Sequence, residues 1–147
     1  MRIAFASDHA GYALKRRLLD RAVALGHDAS DLGCHGEESC DYPDYAAAAA
    51  RAVADRACDR AVVVCGTGLG VCMAANKVPG ARAAVAHDLF TATMSREHND
   101  ANVLCLGARV LAPESAEAIT EAWLAASFAG GRHARRVEKI AALDRGR

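Results

Sequence analysis

The chain has 147 residues, 52% of them apolar, and its eighteen basic residues balance eighteen acidic ones to a formal net charge of zero. That length suits one domain able to bury roughly two thirds of the surface its unfolded form would expose. The charge balance excludes a whole-protein field that would recruit nucleic acid or an anionic membrane, so any anion recognition is local.

No stretch approaches the roughly 20 apolar residues that span a bilayer, and "MRIAFASDH" lacks a signal-peptide core, which points to a cytoplasmic protein. The six cysteines are expected as reduced thiols. None forms a C-x-x-C pair, so neither a zinc ribbon nor a thioredoxin-type motif is supported, and the thiols of "CHGEESC" (34–40) read as loop residues rather than metal ligands.

In chain order, "RIAFAS" (2–7) predicts a strand, "DHAG" a turn, and 12–25 a helix striped by Leu14, Leu18, Ala22 and Leu25 and ended by Gly26. A short strand near 27–32 precedes a polar loop. Pro43 then opens an alanine-rich helix to about residue 57. "RAVVVC" (60–65) is the third strand, with a helix over 70–76. A strand over 81–87, a helix over 89–97 and a strand over 102–110 follow. Pro113 begins a helix through about 128 that the glycine pair 130–131 breaks, and a last helix covers 132–143. β-branched apolar runs alternating with helical patterns are the signature of βαβ units on a parallel sheet.

Ligands of open parallel sheets bind outside the carboxyl ends of the strands. The polar residues expected there are Asp8 and His9, the run Cys65 to Gly70, His87 and Asp88, and Arg109. The run "REHNDAN" (96–102) precedes the fifth strand as a helix end, and need not share that rim. In "CGTGLG" the glycines 66, 68 and 70 fail the dinucleotide spacing, no Gly-Lys-Ser/Thr follows, and Val71 stands where a C-x5-R phosphatase needs arginine. What remains is a glycine turn whose backbone N–H groups can hold an oxyanion. Cys65 beside it is open to two readings, a base or nucleophile and a small buried hydrophobe. Asp8 and His9 combine a hydrogen-bonding anion with a proton carrier, against the plainer reading of Asp8 as a helix cap. His98 alone reads as a helix-end residue. Arg132 and Arg136, one turn apart, are either a solvated face or a phosphate clamp.

"ASDHAGYALK", "DYPDYA", "CGTGLG", "AANKVPGARAA", "SREHNDANVL", "GARV" and "GGRHARRV" occur in this order across residues 6–137. Together they closely resemble the ribose/galactose isomerase family, and within it the type B ribose-5-phosphate isomerases. The resemblance implies a three-layer α/β/α sandwich with a Rossmann-like five-stranded parallel sheet, formed by one domain over 1–147. It implies a homodimer, or a tetramer of paired dimers, with sites at the interface and the C-terminal helix packed on the partner. It implies neither metal nor cofactor. The implied reaction interconverts D-ribose 5-phosphate and D-ribulose 5-phosphate through an enediolate, in the non-oxidative pentose phosphate branch. Carried onto this chain, Cys65 is the base, Thr67 and the amides of Gly66, Gly68 and Gly70 stabilise the enediolate, Asp8 handles hydroxyl protons and His98 opens the furanose ring. Tyr42 and Asn99 contact the sugar, and His9, Arg109, Arg132 and Arg136 bind phosphate. Members without this cysteine carry a glutamate where Val71 stands, which leaves Cys65 as the base and Cys72 as core. Galactose-6-phosphate isomerase subunits typically lack a histidine at the position of His98, so "REHND" favours the ribose enzyme. The alternatives are a six-carbon substrate, such as D-allose 6-phosphate or galactose 6-phosphate, and a non-catalytic sugar-phosphate-binding module.

Overall fold

A computed structural model describes residues 1–146. Five strands, β1 (Arg2–Ser7), β2 (Asp28–Asp31), β3 (Arg60–Cys65), β4 (Ala83–Val85) and β5 (Val103–Gly107), form one all-parallel sheet in the order β2-β1-β3-β5-β4. Helices α1 (Tyr12–Ala24), α4 (Leu89–Asn99) and α5 (Pro113–Ala125) cover one face, and α2 (Tyr42–Ala54) and α3 (Leu69–Ala75) cover the other. The result is the parallel sheet expected from the alternating pattern, within the three-layer Rossmann-like sandwich that the family resemblance implies. Its last helical segment is a 3-10 turn over Gly131–His133, α6 (Ala134–Ala142) and a further 3-10 turn over Leu143–Gly146.

The two faces differ because successive strand residues point to opposite sides. Ile3, Phe5, Val62, Val64, Leu104 and Leu106 meet α1, α4 and α5, with Trp123 at their centre. Ala4, Ala6, Val63 and Cys65 meet Ala46, Ala49, Ala50 and Val53 of α2. Alanine faces alanine across that second layer, so helix and sheet approach closely. The alanine run thereby serves packing, not merely helix propensity.

Several element ends fall short of the expected ones, each for a tertiary reason. The fifth strand stops at Gly107 rather than 110: Arg109 N–H still donates to Gly66 O (2.9 Å), but Val110 N–H turns back onto Gly107 O (3.1 Å). α5 stops at Ala125, well before the glycine pair, because the Arg60 guanidinium caps the carbonyls of Trp123 and Leu124 (both 2.8 Å) and Ala126 (3.1 Å). The last helix begins as a 3-10 turn, so Arg132 and Arg136 straddle a junction instead of sharing one continuous helical face.

The order of strands decides where a ligand can sit. From β1 the chain moves outward to β2, whereas from β3 it moves the opposite way to β4. The carboxyl ends of β1 and β3 therefore flank the crevice at the point where the winding reverses.

Candidate active site

Cys65 is the last residue of β3, 5% exposed, with its side chain on the α2–α3 face. The loop that follows folds back over it, and the Gly68 N–H donates to Cys65 Sγ at 3.2 Å. That fold-back needs Gly68 in the left-handed region at φ +79°, where a Cβ would also press on the Leu106 backbone and Val85 at 3.0 Å. A thiolate is the better acceptor for such an N–H. α3 is only seven residues long, so an anion at this turn would meet the loop amides themselves more than a long helix dipole. Thr67 is exposed at the loop tip, its hydroxyl accepting from Leu69 N–H at 3.4 Å.

Neighbouring elements close around this loop. A Cβ at Gly66 would lie 3.3 Å from Arg109 Nη1, which puts the guanidinium against the loop's first turn. A Cβ at Gly70 would lie 2.7 Å from the Tyr42 ring, which puts that phenol against α3. On the β1 side, Asp8 N–H donates to Val64 O (3.2 Å), and the Asp8 carboxylate accepts from Gly11 N–H (3.0 Å). Asp8 thus holds the turn, but the plainer reading of it as the cap of α1 is corrected: Gly11 is the N-cap residue. His9 Nδ1 accepts from Cys40 N–H at 3.2 Å, which leaves Nε2 as the donor in the neutral ring. One rim therefore brings together Asp8, His9, Tyr42, Cys65, Thr67, Gly66, Gly68, Gly70 and Arg109.

The remaining expected residues lie elsewhere on the chain. His98 and Asn99 end α4, just before the amino end of β5, on the side of the sheet opposite the Cys65 rim. There the His98 ring stacks on His133, with centroids 4.2 Å apart and planes 7° from parallel. Arg132 and Arg136 flank His133. Burial, then the charges of His98, Arg132 and Arg136, hold the His133 imidazole below its ordinary range. The expected site is thus two half-sites at opposite ends of one chain.

Sequence reasoning passed over two residues that the geometry makes prominent. His133 was visible only as part of "GGRHARRV", since no spacing rule pairs it with His98. Gly107 packs beneath the loop: a Cβ there would meet the Thr67 carbonyl carbon at 2.6 Å. Its signal was a glycine at the end of a strand, the usual mark of close backbone approach. Cys72 also departs from a simple core role. It is half-buried, its Sγ lies 3.5 Å from Ala83 O, and the Cys105 thiol hydrogen bond, outweighing burial, pulls it down to about 7. Val71 is fully buried.

Among the described residues no group of three or more His, Cys, Asp or Glu side chains is arranged to hold a metal ion. Among the described residues no helix is long and apolar enough to cross a membrane.

Residues 3–140 match the family model described as Ribose/Galactose Isomerase. The chain is 44% identical to ribose-5-phosphate isomerase B of Escherichia coli, covering 99% of this chain and 98% of that one. It is 43% identical to D-erythrulose-4-phosphate isomerase of Pectobacterium atrosepticum, over 94% and 91% of the two chains. Among solved structures it resembles ribose-5-phosphate isomerase B of Clostridium thermocellum, with a TM-score of 0.98, 52% identity and 99% of each chain covered. It also resembles the Mycoplasma genitalium enzyme with bound ribulose-5-phosphate, with a TM-score of 0.95, 39% identity and 99% and 97% coverage.

Proposed function

The chain belongs to the ribose/galactose isomerase family, and we propose that it is an aldose–ketose isomerase that interconverts D-ribose 5-phosphate and D-ribulose 5-phosphate, working as one domain over 1–147 in the cytoplasm. The observation that carries this reading is the Cys65 thiol at the tip of β3, enclosed by a glycine loop whose Gly68 N–H points at its sulfur. A pure binding module has no use for a thiol in that position.

In the proposed mechanism the Cys65 thiolate takes the proton from C2 of the open-chain aldose. The electron pair shifts to the carbonyl oxygen and leaves an enediolate, which the loop amides and Thr67 stabilise. The same thiol returns the proton to C1 while Asp8 moves the hydroxyl proton, and the product is the 2-ketose. Losing one preorganised donor of this kind typically costs about 3 kcal/mol of barrier. The His9 Nε2–H and Arg109 suit a phosphate, far from the reacting carbons, whose binding energy positions them. Tyr42 and Asn99 contact the sugar, and His98 opens the ring.

Because His98, Asn99, Arg132 and Arg136 sit on the far side of the chain from Cys65, the complete site needs a second copy. α6 supports a homodimer: no residue of it is buried, and its apolar residue Ile140 is exposed, as is Leu143 just beyond. Exposed Leu69, Met73, Leu89 and Phe90 near the catalytic rim offer apolar surface for the other half.

The test is incubation with ribose 5-phosphate in deuterium oxide, following ketose formation and deuterium entry for the wild type and Cys65→Ala. Turnover by the wild type and its loss in the variant are expected. No wild-type turnover, or full turnover by the variant, overturns the proposal. The 43% identity to a D-erythrulose-4-phosphate isomerase makes that four-carbon substrate the necessary comparison, and kcat/KM is expected to favour the pentose.

A further inference from the structure

A chain with no net charge gathers a large positive excess at one place. At the amino ends of the strands, roughly 17 Å of strand length from the Cys65 rim, a cleft of about 360 Å³ is lined by Arg2, Arg56, Arg60, Arg82 and Arg96 against only Asp59 and Asp100. Five guanidiniums and two carboxylates leave a net charge of +3. None of these residues belongs to either half-site described above.

The two carboxylates are already committed. Asp59 pairs with Arg2 at 2.8 Å, and Asp100 bridges Arg82 (2.8 Å) and Arg96 (2.9 Å). Arg60 spends its donors on the carbonyls that end α5, which neutralises no charge. Burial and the nearby Arg96 pull the Arg60 guanidinium down to about 10, still cationic at neutral pH but set in a region short of negative charge. Arg96 is 7% exposed and its Nε has no hydrogen-bond partner among the described residues. Arg56 lines the same cleft at φ +60°, and its side chain has no ion pair or hydrogen bond among the described residues. What this neighbourhood lacks is acceptor oxygens carrying negative charge.

We propose that this cleft is a second anion site, separate from the catalytic one, which binds a small polyanion through phosphate oxygens. Guanidinium forks match phosphate oxygens in geometry as well as charge. The cleft is large enough for a di- or triphosphate group or a small phosphate ester. Such a ligand would tie the starts of β1, β3 and β4 to the end of α4, the helix that carries His98.

The probe is inorganic pyrophosphate, titrated by calorimetry and phosphorus NMR into an Arg109→Ala/Arg136→Ala protein so that the catalytic phosphate contacts are weakened in both half-sites. One equivalent is expected to bind, more weakly as salt rises. Adding Arg56→Glu, a change at an exposed side chain with no partner to lose, is expected to weaken binding about tenfold. Asp59→Asn, which adds one unit of positive charge, is expected to tighten it. Arg56→Glu alone is expected to leave ribose 5-phosphate turnover at the wild-type rate. Absence of binding in Arg109→Ala/Arg136→Ala would assign any wild-type affinity to the catalytic phosphate contacts and overturn the proposal. So would an affinity that Arg56→Glu and Asp59→Asn leave unchanged.

Discussion

Two cysteines seven residues apart occupy different environments. Cys65 receives an N–H from the loop it precedes, whereas Cys72 lies over a fully buried thiol, Cys105, whose hydrogen bond pulls it down to about 7. The Cys72 bond and then burial push Cys105 well up, and burial pushes Cys58 up. Iodoacetamide at pH 7.5, a little above that value, is therefore expected to alkylate Cys72 well before Cys58 or Cys105, as peptide mass spectrometry would show. Equal labelling of the three would contradict this ordering. Gly107 makes a different point. Gly107→Ala forces a methyl group against the Thr67 backbone, so a fall in kcat of about tenfold or more is expected, with the fold intact by circular dichroism. The His133 imidazole is expected to titrate below its ordinary value of 6.5 in an NMR series, and to shift upward when Arg136→Ala removes one of the charges beside it.

Between elements, one buried ion pair ties α1 to the loop that shapes the catalytic rim. Lys15 is fully buried on α1, and its ammonium meets Asp31 at the end of β2 (2.5 Å) and Cys34 O (2.6 Å). That contact anchors the start of the loop whose Cys40 N–H orients His9. Lys15→Ala takes the ammonium from a part-buried carboxylate that keeps Arg16 at 3.8 Å and the Gly33 N–H, so it is expected to cost about 3 kcal/mol, or roughly 10 °C in Tm. A raised KM is expected as His9 loses its support. Burial pushes the Asp31 carboxyl up, but the Lys15 and Gly33 hydrogen bonds outweigh it and hold the group below 3.8. A carboxyl held low in the fold stabilises it above its unfolded value and loses that contribution as pH falls through the folded one. Acid titration of the wild type is therefore expected to show this loss below pH 3.8, and Lys15→Ala, which keeps only the Gly33 bond, to show less of it.

At the scale of the whole molecule, the parallel sheet explains why, in the proposed dimer, each site draws one half from each chain. A parallel strand begins at one edge and ends at the other, so a residue just before β5 cannot reach the loop just after β3. Mixing inactive Cys65→Ala protein with inactive His98→Ala protein, after partial unfolding and reassembly, is expected to restore part of the activity. Each mixed dimer then carries one site with both residues intact. No recovery would place both groups in the same chain's site. Ile140→Asp is expected to shift the protein toward monomer by light scattering and to lower turnover in parallel.

Local chemistry makes the alternation of strands and helices, the βα loops and the unusual glycine turn after Cys65 legible in the sequence. Period-two and period-3.6 patterns report directly on which face is buried. The chain's own residues also distinguish Cys65 from the failed phosphate-loop spacings. Only the tertiary structure decided that β5 inserts between β3 and β4, that Arg60 ends α5 before its glycines, and that His98 stacks on His133. Only the tertiary structure, again, gathered five arginines from the starts of separate strands and the ends of separate helices into one cleft. Each of these depends on contacts between residues far apart in the chain, where no local periodicity carries a signal.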